Sequence, residues 1–191
     1  MAVRSFLALE LPPEIKARVR QVSEELKRSK MDVRWVKPDN IHLTIVFLGY
    51  VREGDISAIG REIEQVCFGF RPFEICLKGA GLFPDRRRPR VLWLGYDGDV
   101  ERMSSLRDVL HERLAPFEIK EEKRPFKPHL TLGRFRNPGK GNPRLDELLD
   151  RHNVLLSPSF QVSELVLFKS ELRLQGPEYT KLESWPLSAE R

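Results

Sequence analysis

The tripeptide His-Leu-Thr occurs twice in this chain, at His42 to Thr44 within IHLTIVFLG and at His129 to Thr131 within PHLTLGRF, and these two histidines are half of the four present. On an extended strand residues i and i+2 share a face. His42 and Thr44 therefore point one way while Leu43 and Ile45 point the other, and His129 and Thr131 repeat the pattern with Leu130 and Leu132 behind. Each copy offers an imidazole and a hydroxyl side by side on a rigid element whose reverse face is anchored in apolar packing. Facing each other, two such strands would line a cleft with two histidines and two threonines.

Opening a cyclic phosphodiester with water needs such a set. A base must deprotonate the nucleophile and an acid must protonate the departing ribose oxygen, on opposite sides of phosphorus because displacement is in line. Histidine, with an ordinary pKa of about 6.5, serves as either partner near neutral pH. The threonine hydroxyls can donate to the non-bridging oxygens, where charge builds up. A lone histidine in an apolar strand is most often a satisfied core residue, and threonine favours strands for reasons unrelated to catalysis. Packing gives no reason, however, to repeat the same polar pair among the same neighbours.

Zinc is the other use of paired histidines, but a catalytic zinc site normally takes three protein ligands. Neither copy carries a carboxylate or second histidine at i+2 or i+4, so neither a metal nor another cofactor is expected. His111, on a predicted helix, and His152, before a loop, read as surface residues. Cys67 and Cys76 have no metal-binding or disulfide spacing and are expected to be reduced and buried.

The elements that must position these residues follow from periodicity. Residues 3–11 alternate as a strand, and Pro12 and Pro13 open a helix over 13–30 with Ile15, Val19, Val22 and Leu26 on one side. The first His-Leu-Thr strand covers 41–49. EGDISAIGREIEQVCFGF is a second amphipathic helix. Strands follow over 73–78 and 90–96, joined by GAGLFPDRRRP, and a third helix spans 99–114. The second His-Leu-Thr strand covers 128–135. RNPGKGNP reads as a loop, RLDELLDRH as a short helix, SFQVSELVLFKSEL as one long strand and EYTKLESWPL as the last. This rhythm, with several hairpin-length connections, indicates an α+β fold with mainly antiparallel sheets. The two copies lie nearly half the chain apart, which suits a two-lobed molecule.

At 191 residues, with 40% hydrophobic and 32% charged residues, the chain suits a single domain, 1–191, with its own core. Its net charge of +5, with Arg86, Arg87, Arg88 and Arg90 clustered, favours an acidic partner such as RNA or a nucleotide. No stretch approaches the about 18 apolar residues of a spanning helix, and the N-terminus breaks into prolines and acid too early for a signal peptide. A cytoplasmic protein with no membrane partner is expected.

Taken together, these residues resemble the 2H phosphoesterases, and in particular the bacterial and archaeal RNA 2',3'-cyclic phosphodiesterases first described as 2'-5' RNA ligases. The resemblance spans almost the whole chain. RSFLALELP is similar to the family's opening strand, WVKPDNIHLTIVFLG to its first motif, LFPDRRRPRVLWLG to its middle hairpin, RPFKPHLTLGRF to its second motif and LVLFKSELRLQGPEYTKLESWPL to its closing hairpin. It implies a bilobal fold with pseudo-two-fold symmetry and a central cleft. His42 and His129 would be the acid/base pair, with Thr44 and Thr131 as phosphate ligands, no metal and no cofactor. The implied substrate is an RNA or oligonucleotide with a 2',3'-cyclic phosphate end, the product a 2'-phosphate, and family members also run the reverse joining reaction. A monomer is expected.

Arg134 matches a family position that contacts substrate, yet at an offset of five from His129 a regular strand would point it to the opposite face. A bulge permitted by Gly133 would relieve this, and Phe47 occupies the equivalent offset in the first motif. Phe126 and Tyr179 lie in segments resembling cleft-lining parts of the family and could stack on a base, whereas Trp35 reads as packing. Two rival readings stay open: a non-catalytic RNA- or nucleotide-binding protein, and an enzyme of the same family acting on a small cyclic nucleotide.

Overall fold

The computed structural model describes residues 1–37, 40–119, 125–137, 143–154, 156–174 and 176–188. In chain order the main elements are β1 (Ala2–Leu9), α1 (Pro13–Lys27), β2 (Val33–Trp35), β3 (Leu43–Arg52), α2 (Ile56–Phe68), β4 (Phe73–Phe83), β5 (Val91–Gly98), α3 (Val100–Leu114), β6 (His129–Phe135), α4 (Pro143–Arg151), β7 (Phe160–Val162), β8 (Glu164–Arg173) and β9 (Gly176–Pro186). The strands form two sheets, ordered β3-β1-β8-β9 and β2-β6-β5-β4-β7. Every pairing is antiparallel. The fold is α+β and two-lobed, as the sequence led us to expect.

The lobes are not the two halves of the sequence. β4 ends the first half but pairs with β5 in the second sheet, and β8, from the second half, pairs with β1 in the first. Each sheet thus takes two strands from the other half of the chain, β8 and β9 in the first and β2 and β4 in the second. The residues read as one strand over SFQVSELVLFKSEL break at Ser163, because β7 belongs to the second sheet and β8 to the first. The uniform alternation of that stretch hides the change of partner.

Helical periodicity translates directly into packing. Ile15, Val19, Val22 and Leu26 of α1, Ile59, Ile63 and Val66 of α2, and Met103, Leu106, Leu110 and Leu114 of α3 are all buried. They join Leu7 and Leu9 of the first sheet and Leu92 and Leu94 of the second in one continuous core. α1 starts with Pro13 in its first turn and stops at Lys27, earlier than its pattern suggested, shortly before Lys30 turns to φ 55°. β1 is buried on both faces from Ser5 to Leu9. Leu7 and Leu9 enter the main core, while Phe6 and Ala8 pack with Val166, Phe168 and Tyr179 in a second apolar cluster.

β4 runs on through the glycine-rich segment that reads as a connection. Gly79, at φ 75°, accommodates a shift of register between Leu77 and Ala80, after which pairing with β5 resumes. A Cβ on Gly81 would lie 2.2 Å from the Trp93 ring, so only glycine lets that indole lie across the strand. Residues 138–142 of RNPGKGNP lie outside the described residues. Cys67 and Cys76 are buried and free. His152, expected at the surface, is buried instead: Nδ1 donates to the Leu148 carbonyl at 2.8 Å, and Nε2 lies 3.1 Å from Glu25 Oε2 of α1. Among the described residues no helix is long and apolar enough to cross a membrane.

Candidate active site

His42 immediately precedes β3, and its ring rests on the second apolar cluster. Phe6 stacks with it at 4.6 Å between centroids and 25° between planes, Phe168 lies at 5.9 Å, and Tyr179 meets it edge-on at 5.0 Å. This apolar bed disfavours the charged imidazolium. Burial pushes the His42 pKa down to about 4, against a hydrogen bond with the Asn40 backbone that favours the charged form, and the charge of Lys16 adds to the depression.

His129 opens β6 in the other sheet. Its Nδ1 lies 2.7 Å from the Lys127 carbonyl oxygen. A carbonyl can only accept, so Nδ1 carries the hydrogen and the neutral ring presents Nε2 as a base. Phe83 packs edge-on against this ring at 4.8 Å. Burial lowers the His129 pKa below its ordinary 6.5, the Lys127 carbonyl opposes that, and the Arg134 charge reinforces it.

The two strands share a backbone irregularity at the same offset from histidine. In β6, Thr131 pairs with Trp93 and Gly133 with Leu92, leaving Leu132 as the extra residue of a bulge. In β3, Thr44 pairs with Ala8 and Val46 with Leu7, leaving Ile45 as the extra residue. Consecutive burial of Leu132 and Gly133, and of Ile45 and Val46, marks the reset of alternation. The bulge returns the residue five places beyond histidine to the histidine face, which resolves the difficulty over Arg134. Its charge acts on both His129 and Tyr179. Tyr179 also touches His42, so the Arg134 charge acts on His129 in one sheet and on a neighbour of His42 in the other.

Gly133 is required by a close approach of β2. A Cβ there would lie 2.3 Å from Val33 Cγ1 and 3.1 Å from the Arg34 carbonyl oxygen. Phe47, the counterpart of Arg134, is 65% exposed. Burial raises the Tyr179 pKa while Arg4 and Arg134 oppose it, leaving a neutral phenol at pH 7. Phe126 is placed differently: it packs against the main core with the Arg107 guanidinium carbon 5.4 Å from its ring centroid, so one face that could stack on a base is taken by a cation. Trp35 packs against the core, as expected.

Of the clustered arginines, Arg86 is committed to α4, bonding Asp146 at 3.4 Å and Asp150 at 2.7 Å. The backbone N–H groups of Arg87 and Arg88 donate to Asp85 at 2.7 and 3.0 Å and fix the turn, leaving their side chains exposed. Phe6, Phe168 and Phe83, which bed the two imidazoles, were not singled out in the sequence. Strand alternation would have put Phe6 on the face opposite Leu7 and Leu9, but the partners across the sheet had no signature. Among the described residues no three His, Cys, Asp or Glu side chains come together to hold a metal ion.

The model of the LigT-like phosphoesterase family matches residues 9–93 and, a second time, residues 96–179. The chain belongs to this family, the one its paired His-x-Thr motifs resemble. The RNA 2',3'-cyclic phosphodiesterase of Methanothermobacter thermautotrophicus is 36% identical over 187 residues, covering 98% of this chain and 100% of its own. The enzyme of the same name from Archaeoglobus fulgidus is 31% identical over 180 residues, 94% of this chain and 98% of its own. Among crystal structures, TT0787 of Thermus thermophilus superposes with a TM-score of 0.80 at 30% identity, covering 98% of this chain and 100% of that one. E. coli LigT complexed with 3'-AMP superposes with a TM-score of 0.73 at 27% identity, covering 98% and 99%.

Proposed function

We propose that this protein hydrolyses RNA ends bearing a 2',3'-cyclic phosphate to 2'-phosphates, without a metal, by acid/base catalysis between His42 and His129. One imidazole, neutral, takes a proton from water as its oxygen bonds to phosphorus. The other, protonated, gives its proton to O3' as the P–O3' bond breaks, and the phosphate stays on O2'. The two imidazoles thereby exchange protonation states, and exchange with solvent resets them. Thr44 and Thr131 donate to the non-bridging oxygens, and Arg134 balances their growing charge. In the free protein burial holds both histidines below 6.5. A bound phosphate anion opposes that burial and lets one imidazole carry the required proton.

The observation that carries this reading is the equivalence of the two sites: a His-x-Thr pair on each sheet, followed by a bulge at the same offset. The names of the relatives and the 3'-AMP complex of E. coli LigT point to the same substrate class. The test is to incubate the protein, with chelator present, with an end-labelled RNA terminating in 2',3'-cyclic phosphate. A 2'-phosphate product is expected. A 3'-phosphate would mean that the other ester bond is broken, and tight binding without turnover would make the protein a reader of such ends.

A further inference from the structure

In the register between β2 and β6, Arg34 lies directly opposite Arg134, and Arg134 is in turn opposite Val91. Directly opposed residues of antiparallel strands share a face, with Cβ atoms about 4.5–5.5 Å apart. Val33 and Trp35, which flank Arg34, pack toward the core, and Arg34 is exposed on the other side with Arg134. Two like charges opposed in this way destabilise a sheet. Many arginines of this chain find carboxylates, as Arg86 does with Asp146 and Asp150 and Arg173 with Glu171 and Glu178. Among the described residues no ion pair neutralises Arg34 or Arg134. Across the cleft, Arg4 donates to a neutral partner, Ser170 Oγ, at 2.6 Å, and its charge reaches Tyr179 as that of Arg134 does.

Charge counting shows that the reacting group does not need all of this. A cyclic phosphodiester carries one negative charge, which Arg134 and one protonated histidine already exceed. We infer that Arg34, beside Arg134, forms a second anion subsite that takes the 5'-phosphate of the terminal nucleotide. This rests on the reading that the cleft holds a 2',3'-cyclic phosphate. A chain ending in that group has one neighbouring phosphate, on the 5' side, so the subsite distinguishes a polynucleotide end from a free cyclic mononucleoside. The start of β9 closes the site: a Cβ on Gly176 would lie 3.8 Å from an Arg34 guanidinium nitrogen, and Asn40 Nδ2 donates to the Pro177 carbonyl at 2.7 Å.

The test compares kcat/KM for a nucleoside 2',3'-cyclic phosphate with a 5'-hydroxyl and for the same compound with a 5'-phosphate. The wild-type ratio should favour the 5'-phosphate by roughly tenfold or more, the lower range for a hydrogen bond to a charged group. Arg34→Ala should bring that ratio close to one, with Arg34→Lys intermediate. Arg71→Ala, which removes the same charge from the turn between α2 and β4, should leave the ratio as in wild type. On a dinucleotide the salt dependence of binding should weaken by roughly 0.7 of a log unit per log unit. A ratio unmoved by Arg34→Ala overturns the subsite. Should neither compound be hydrolysed, the hydrolytic reading fails while the subsite is still read by binding of a nucleoside 2',5'-bisphosphate against the 2'-monophosphate. Equal affinities there, in wild type and Arg34→Ala alike, overturn it.

Discussion

The strands bearing His42 and His129 are built on one plan and furnished differently. Both place a threonine two residues on and a bulge at the third residue beyond histidine. The rows of side chains that cross the sheets at the fifth residue diverge. In the first sheet the row is Lys181, Phe168, Phe6 and Phe47, with Lys181 held by Glu10 and Glu164; in the second it is Phe83, Val91, Arg134 and Arg34. The first row is mainly aromatic and its lysine is held by two carboxylates, whereas the second carries two arginines that no ion pair neutralises among the described residues. The shared backbone places the two histidines alike, and on the proposed reading the unlike residues at one offset would send base and phosphate to opposite walls.

The comparison can be broken most severely at the residues the two strands share. His42→Ala and His129→Ala should each lower kcat by about 10²–10⁴-fold, and the double variant should lose little more than the worse single one, because the pair acts as a unit. Additive losses would mean that the two imidazoles work in separate steps. Next come the residues that differ. Arg134→Ala should lower kcat/KM by about ten- to a hundredfold, the value of about 1.5–3 kcal/mol for a hydrogen bond to a charged group, with most of the loss in kcat. Phe47→Ala should instead raise KM for substrates with a base to stack, by about 1–3 kcal/mol. If Phe47→Ala acted on kcat and Arg134→Ala on KM, the division of labour would be reversed.

Smaller effects sharpen the picture. Gly133→Ala forces a methyl into Val33 and should cost about 1–3 kcal/mol of stability by overpacking, read as a lower Tm. The corresponding Val46 of β3 already carries a side chain, so this demand belongs to β6 alone. Finally, both imidazoles should titrate below 6.5 by NMR, His42 near 4. Inorganic phosphate should move both upward. Since the unfolded chain binds more protons than the folded one between those values, stability should fall as pH drops from about 6.5 toward 4. A His42 midpoint at 6.5 would remove the effect assigned to its apolar bed.

Much of this was legible because it depends on short periods. Two-residue alternation gave the faces of His42, Thr44, His129 and Thr131, and helical spacing gave the buried sides of α1, α2 and α3. The bulge at Leu132 was not legible beyond the glycine after it, since an extra residue in one strand is defined by its partner, here Trp93 and Leu92 of β5. For the same reason β2 has no signature: three residues carry no periodicity, yet their pairing with β6 brings Arg34 beside Arg134. The burial of His152 leaves no local signature because it comes from α4 docking near Glu25, more than a hundred positions earlier. Phe126 sits in a segment similar to the family's cleft, but Arg107 of α3 claims its ring.

The exchange of strands between the lobes has a mechanical side. Followed from the N-terminus, the chain passes from first sheet to second, back, over again and back once more, between β1 and β2, β2 and β3, β3 and β4, and β7 and β8. Domain closure elsewhere turns on a few residues that absorb the whole rotation. Here every opening of the cleft would have to bend all of these crossings together. On the proposed mechanism, the entropy of bringing acid and base into register would be spent when the chain folds, before an RNA end arrives.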